Sequence, residues 1–165
     1  MIKVTAVKGQ NEISIVAALA EEIWNDHFVP IIGKAQVDYM LDKFQSESAI
    51  SKQIDEGFEY YLLRVDNDNA GYIGLVPDPA ESSLMISKIY VRKSCRGIGV
   101  GSEALVFIFE ICRKRSLKKI FLTVNKYNAD TIQWYEKKDF IQADSAVKDI
   151  GDGFVMDDYI MEKSC

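Results

Sequence analysis

A chain of 165 residues, 48% hydrophobic and 27% charged, has the apolar content for one domain around one core and is not the composition of a disordered segment. Its formal net charge of −5 makes a nucleic-acid phosphate backbone a poor partner. The single histidine, His27, rules out a multi-histidine metal site. No signal-peptide profile opens the chain, and its most apolar stretch, Ala104 to Phe109, falls far short of the ~20 residues that cross a bilayer.

In chain order, Ile2 to Val7 alternates like a first strand. Asn11 is placed to cap a helix through Ile13, Val16, Leu19, Ala20 and Ile23, which should fray near Asp26 and His27, ahead of Pro30 and Gly33. Val37 to Phe44 continues as helix, with another turn or two from Ser48 to Glu56. Phe58 to Val65 and Gly71 to Val76 form a hairpin across the turn formers Asp66 to Asn69, and Pro77 and Pro79 should stop the second strand. Leu84 to Val91 is a strand running into the glycine-rich loop 96–101. Beyond the loop come a buried helix (Ser102 to Arg115), a strand (Lys119 to Val124), a helix (Asn128 to Lys138) and a closing hairpin (Phe140 to Val147, Phe154 to Met161). No repeat or linker interrupts the chain, so residues 1–165 are read as a single α/β domain, a mixed sheet with helices on both faces.

Three of the ten glycines, Gly97, Gly99 and Gly101, fall within five residues between a strand and a helix. Such spacing lets the backbone adopt positive φ and approach a ligand closely, and the helix start offers free N–H groups to an anion. Arg96 adds a charge at its mouth, and a second basic cluster runs from Arg113 to Lys119. A P-loop would need Gly-Lys-Ser/Thr after the loop, and a dinucleotide fingerprint would need glycine at Ser102; neither is present. A ligand-free strand-to-helix turn is the bland alternative.

The run Ile89-Tyr90-Val91, then Arg96-Gly97-Ile98-Gly99-Val100-Gly101, resembles the acetyl-coenzyme A signature of the GNAT (GCN5-related) N-acetyltransferase superfamily. Downstream, Asn128-Ala129 and Trp134 to Phe140 are similar to that family's asparagine–helix–tyrosine–Gly-Phe segment, with Asp139 where glycine is usual. Looser similarity at Ile23 to Asp26 and Asp157 to Glu162 points to PaiA-type polyamine acetyltransferases. The resemblance implies a GNAT acyl-CoA N-acyltransferase fold with a mostly antiparallel central sheet. It also implies a cytoplasmic enzyme using acetyl-CoA as co-substrate and no metal.

On the same resemblance, backbone atoms around Ile89, Tyr90 and Val91 pair with the pantetheine arm, and the N–H groups of Gly97, Ile98, Gly99, Val100, Gly101 and Ser102 cradle the pyrophosphate beside Arg96. Asn128 meets the pantetheine or caps its helix. Tyr135 is the expected catalytic acid, since a phenol of pKa ~10 can hydrogen-bond and protonate a departing thiolate whose thiol has a pKa near ~8.5. The position used for a base in some relatives is Thr123, which cannot serve; Glu22, Asp26 and Asp158 are candidates to act through water, each read first as a solvated surface carboxylate, leaving the base unassigned. His27 is read as structural, and the cysteines Cys95, Cys112 and Cys165 as reduced thiols. Carboxylates from Glu21 to Asp42 and near Asp157 suggest a cationic acceptor such as a polyamine. Protein N-terminal or lysine acetylation and a non-catalytic acyl-CoA sensor are the alternatives, and a homodimer is left open.

Overall fold

The computed structural model describes residues 1–165. Seven strands make one sheet in the order β1-β2-β3-β4-β5-β7-β6. They are β1 (Ile2–Ala6), β2 (Glu59–Val65), β3 (Asp68–Asp78), β4 (Ser83–Val91), β5 (Lys119–Asn125), β6 (Ile141–Gly151) and β7 (Phe154–Ser164). Every neighbouring pair is antiparallel except β4 and β5. Six helices cover the faces: α1 (Gln10–His27), α2 (Val29–Ile32), α3 (Lys34–Phe44), α4 (Glu47–Asp55), α5 (Val100–Lys114) and α6 (Ala129–Lys137).

Alternation along the strands divides the apolar residues between two cores. Leu63, Ile73, Leu75, Leu84, Ile86, Ile120 and Leu122 face α5 and α6. Leu62, Tyr60 and Tyr72 face α1, α3 and α4, where Val16, Ile23, Val37 and Ile50 close over them. The expected layering therefore holds, with the helices shared between both faces.

Several boundaries move for local reasons. Helix α1 starts at Gln10 rather than at an Asn11 cap, because the Glu12 carboxylate accepts the N–H groups of Lys8 and Gly9 at 3.0 and 3.1 Å. The β2–β3 hairpin turns on two residues, Asp66 and Asn67, both at positive φ (51° and 85°), so β3 begins at Asp68. Pro77 does not stop β3. Pairing with β2 ends at Leu75, so from Val76 onward β3 pairs only with β4 and the missing proline N–H costs no inter-strand bond. The last hairpin likewise turns tightly on Asp152 and Gly153, lengthening β6 and β7.

Helix α5 buries Val100, Ala104, Leu105, Ile108 and Cys112 along one stripe, while Val106 is half exposed; it is amphipathic rather than apolar all round. Its Cys112 is joined by a disulfide to Cys165 at the end of the chain, with Cα atoms 6.2 Å apart. Strand β7 runs beside β5 and carries Cys165 back to the end of α5, a proximity that a separation of 53 residues conceals. Cys95 alone is a free thiol, which corrects the expectation of three. No helix is long and apolar enough to cross a membrane.

Candidate active site

The site begins where the sheet comes apart. Strands β4 and β5 pair only from Ser83–Lys119 to Ile86–Leu122, and beyond that point they share no bonds. A bulge provides the cause: opposite Gly74 and Leu75 of β3 stand Lys88 and Ile86, leaving Ser87 as an extra residue that bends β4 away. Ser87 to Tyr90 on one side and Thr123 to Asn125 on the other line the resulting wedge, which opens into a cavity of about 500 Å³.

The backbone of β4 is phased for that wedge. Arg92 donates its N–H to Ala70 O at 2.8 Å. Bonded and unbonded residues alternate along an antiparallel ladder, so Tyr90 is bonded to β3 whereas Ile89 and Val91 turn their N–H and C=O groups into the gap. Val91 O accepts from Arg96 Nε at 3.0 Å, which fastens the following loop to the strand end. The side chain of Tyr90 packs into an aromatic group with Trp24, Phe28 and Tyr72.

After a 3₁₀ turn (Lys93–Cys95) that intervenes between β4 and the loop, Gly97 and Gly99 take φ of 81° and 91°, conformations that penalise any side chain. Gly101 has a different reason to be glycine: a Cβ there would stand 3.0 Å from the Trp134 ring. None of the N–H groups of Gly97, Ile98, Gly99, Val100, Gly101 and Ser102 has an acceptor in the protein. Six donors at the positive end of a 15-residue helix form an anion site.

Other basic residues stand apart from this anion site. The cluster from Arg113 to Lys119 lies at the other end of α5, about 20 Å away along a helix of this length. Arg92 is engaged by Glu22, with Nε–Oε2 and Nη2–Oε1 contacts of 2.8 and 3.0 Å. The cation that does reach the helix start is Lys138, whose Nζ donates to Ser102 Oγ at 2.8 Å.

Tyr135 projects from α6, 4% exposed, with its ring against Trp134 and Phe140, and reaches the cavity wall. Burial, with a smaller contribution from Tyr90, pushes its phenol well above 10, so it stays protonated at any physiological pH. Helix α6 ends in a paired closure, Phe140 N–H to Tyr135 O (3.1 Å) and Asp139 N–H to Glu136 O (3.0 Å), with Asp139 at φ 69°. The aspartate thus takes the left-handed conformation that glycine usually supplies.

Asn128 occupies the N-cap position of α6, yet its side chain makes no cap. Its Oδ1 accepts from His27 Nε2 at 3.1 Å, and the residue is buried on the cavity wall. Burial, and to a lesser degree Arg96, lowers the His27 pKa and keeps the ring neutral at neutral pH. His27 therefore orients Asn128, a partnership across 101 residues that only the fold brings about.

Of two charged residues on the cavity wall, Asp158 was one of three candidate carboxylates and Lys88 was not singled out. Asp158 is 6% exposed on the cavity wall and pairs with no cation, and burial followed by the neighbouring Asp157 raises its pKa to about 6. It is not the solvated carboxylate expected. Lys88 is 5% exposed, and its Nζ donates to Phe44 O at 3.1 Å, to Gln53 Oε1 at 2.8 Å and to the Tyr60 hydroxyl. Glu22 and Asp26 lie on an outer surface depression instead.

The family model for the Acetyltransferase (GNAT) family matches residues 17–140. The uncharacterized N-acetyltransferase in the pepI 3′ region of Lactobacillus delbrueckii subsp. lactis is 27% identical over 154 residues, covering 89% of this chain and 88% of its own. Among solved structures, the PaiA N-acetyltransferase of Thermoplasma acidophilum in complex with coenzyme A superposes with a TM-score of 0.77 at 18% identity, over 100% of this chain and 99% of that one. A GCN5-related N-acetyltransferase from Rhodopseudomonas palustris gives a TM-score of 0.82 at 12% identity, over 99% and 95%. These structures share the fold, a seven-stranded, mostly antiparallel sheet layered by helices. With the family model spanning the parted strands, the glycine loop and α6, the chain belongs to the GNAT family of acetyl-CoA-dependent N-acetyltransferases.

Proposed function

We propose that this enzyme acetylates a small primary amine by direct attack on acetyl-CoA held in the wedge between β4 and β5. The observation that carries the reading is the wedge itself, where the unpaired N–H and C=O of Ile89 and the N–H of Val91 lead toward the free N–H row of Gly97 to Ser102. A pantetheine arm carries amides that can pair with such a strand edge, and its pyrophosphate suits the helix start. Arg96 and Lys138 flank that anion, and Asn128, held by His27 through its oxygen, keeps its amide N–H₂ for a ligand carbonyl.

Chemistry follows at the thioester. The amine nitrogen attacks the carbonyl carbon, charge builds on the oxygen, and the free N–H of Ile89 stabilises it. Collapse breaks the carbon–sulfur bond, the Tyr135 hydroxyl hydrogen-bonds the departing sulfur and gives it a proton, and the extra proton on the newly acylated nitrogen passes through water to restore the phenol. An alkyl ammonium of pKa about 10 must first lose its proton. Asp158, ionised above about pH 6 and facing the same cavity, accepts that proton through water.

The expectation of a polyamine rested on carboxylates from Glu21 to Asp42 and near Asp157, of which only Asp158 lies on the cavity wall. Of these, Glu21, Glu22, Asp26, Asp38 and Asp42 are exposed and outside the cavity, and Asp157 pairs with Lys126 at 2.8 Å. Polyamines thus stay within the amine class with no set of carboxylates to favour them. A mass-spectrometric screen of small amines against peptides with free N-termini tests the reading. Acetylated small amines support it; product only on peptides would replace it with protein acetylation.

A further inference from the structure

The cavity is charged at two separate places. Of its lining residues only Lys88, Lys148 and Asp158 are ionisable to a full charge near neutral pH, and Lys148 is exposed at the rim. Lys88 projects from β4 toward the end of α3 and the start of β2. Its partners there are a backbone carbonyl, an amide oxygen and a phenol, all neutral, with the Tyr60 ring 4.9 Å and the Phe58 ring 5.9 Å from Nζ. No carboxylate pairs with it, and burial alone brings its pKa to about 7. No ion pair joins Asp158 to Lys88, whose ammonium is turned instead toward Phe44, Gln53 and Tyr60, so the two charges do not neutralise each other.

A buried ammonium without a counter-charge is costly, and a methionine of similar length would fill the same space without that cost. A purely structural lysine, tying α3 and α4 to the sheet, accounts for its three hydrogen bonds. It does not account for why the group borders the acceptor cavity while the opposite charge stands elsewhere on the same wall.

We propose that the acceptor is an amine bearing its own carboxylate, an amino-acid-like zwitterion, with its amine directed toward Asp158 and its carboxylate bound by Lys88. This rests on the acetyltransferase reading above and narrows its substrate. A carboxylate entering beside Lys88 takes one of its three N–H donors from a neutral partner, supplies the missing counter-charge and restores the fully protonated ammonium. A polyamine would instead bring a second ammonium against Lys88.

The test compares matched sets: L-methionine or L-phenylalanine, the methyl ester of each, the amine lacking the carboxyl group, and spermidine, measured as kcat/KM with saturating acetyl-CoA. The free acid should exceed its ester and plain amine by roughly 10- to 100-fold, the size of one charge-assisted hydrogen bond. In Lys88→Met, checked for folding by acetyl-CoA binding, the acid-to-amine ratio should collapse toward unity; Lys88→Arg, retaining the charge, should keep part of it. Plain amines, esters or spermidine used as well as the acids would overturn this assignment and leave the acetyltransferase intact, as would an undiminished ratio in Lys88→Met. No turnover with any amine would overturn both.

Discussion

Tyr135 and Asp158 face the same cavity from different elements and have shifted pKa values for the same first reason, burial, with opposite chemical consequences. The tyrosine is held protonated, the state the proposed mechanism needs of a donor. Tyr135→Phe should lower kcat by about 10²-fold or more while leaving the acetyl-CoA Kd nearly unchanged, as read by steady-state kinetics beside calorimetry. An unchanged kcat removes the hydroxyl from the chemistry. For Asp158, whose folded pKa of about 6 lies above its unfolded value, kcat/KM should rise with pH through about 6 as the carboxylate ionises. In Asp158→Asn that inflection should disappear. The stability effect has the opposite direction. The raised pKa favours folding at low pH, and that contribution is lost as pH rises through about 6, so Asp158→Asn should raise Tm at pH 8 and change it little at pH 4. Tyr135 was legible from its place downstream of Asn128. Asp158 was legible only as one of three candidate carboxylates, because Asp157-Asp158-Tyr159 reads as a polar run until the strand's phase turns one carboxylate inward. Lys88 was hidden more deeply. Leu84 and Ile86 face one core and so do Ile89 and Val91, a break in alternation that arises from the bulge at Ser87 and turns Lys88 to the opposite face.

Among the elements, the loop and α5 work as one unit. Gly99 is the N-cap of α5 at φ 91° and ψ 7°, where a β-branched residue is strained by roughly 1–2 kcal/mol. Gly99→Val should weaken acetyl-CoA binding by about tenfold, measured by calorimetry, with a smaller loss of Tm. Unchanged binding would show that the N–H row from Gly97 to Ser102 does not hold the cofactor. The longer helices and all seven strands were legible from periodicity and turn residues, whereas α2 and the 3₁₀ turn at Lys93–Cys95 were too short to show a period. Their ends were less so, because capping by Glu12 and the two-residue turns at Asp66 and Asp152 are decided by side-chain geometry and paired register. The closure of α6 was readable in outline, since Asp139 keeps the left-handed turn expected of glycine.

At the scale of the whole molecule, the sheet joins two cores and parts between β4 and β5, so the proposed cofactor site is a consequence of strand pairing as much as of motif. The mixed layering followed from the order of elements, whereas the parting depends on one extra residue and had no signature in composition. The Cys112–Cys165 link was equally hidden, because it depends on β7 returning alongside β5. Thiol titration without reductant should find one reactive cysteine, Cys95, and Cys165→Ser should lower stability by roughly 3–4 kcal/mol through a freer unfolded chain. Three thiols titrating in the oxidised protein would remove the link. The central claim, acetyl transfer to a small amine in the parted sheet, is tested most directly by following thiol release from acetyl-CoA with and without candidate amines. The expected result is release that depends on and saturates with at least one small primary amine and is nearly lost in Tyr135→Phe; acetyl-CoA that binds tightly but releases no thiol with any amine would contradict it.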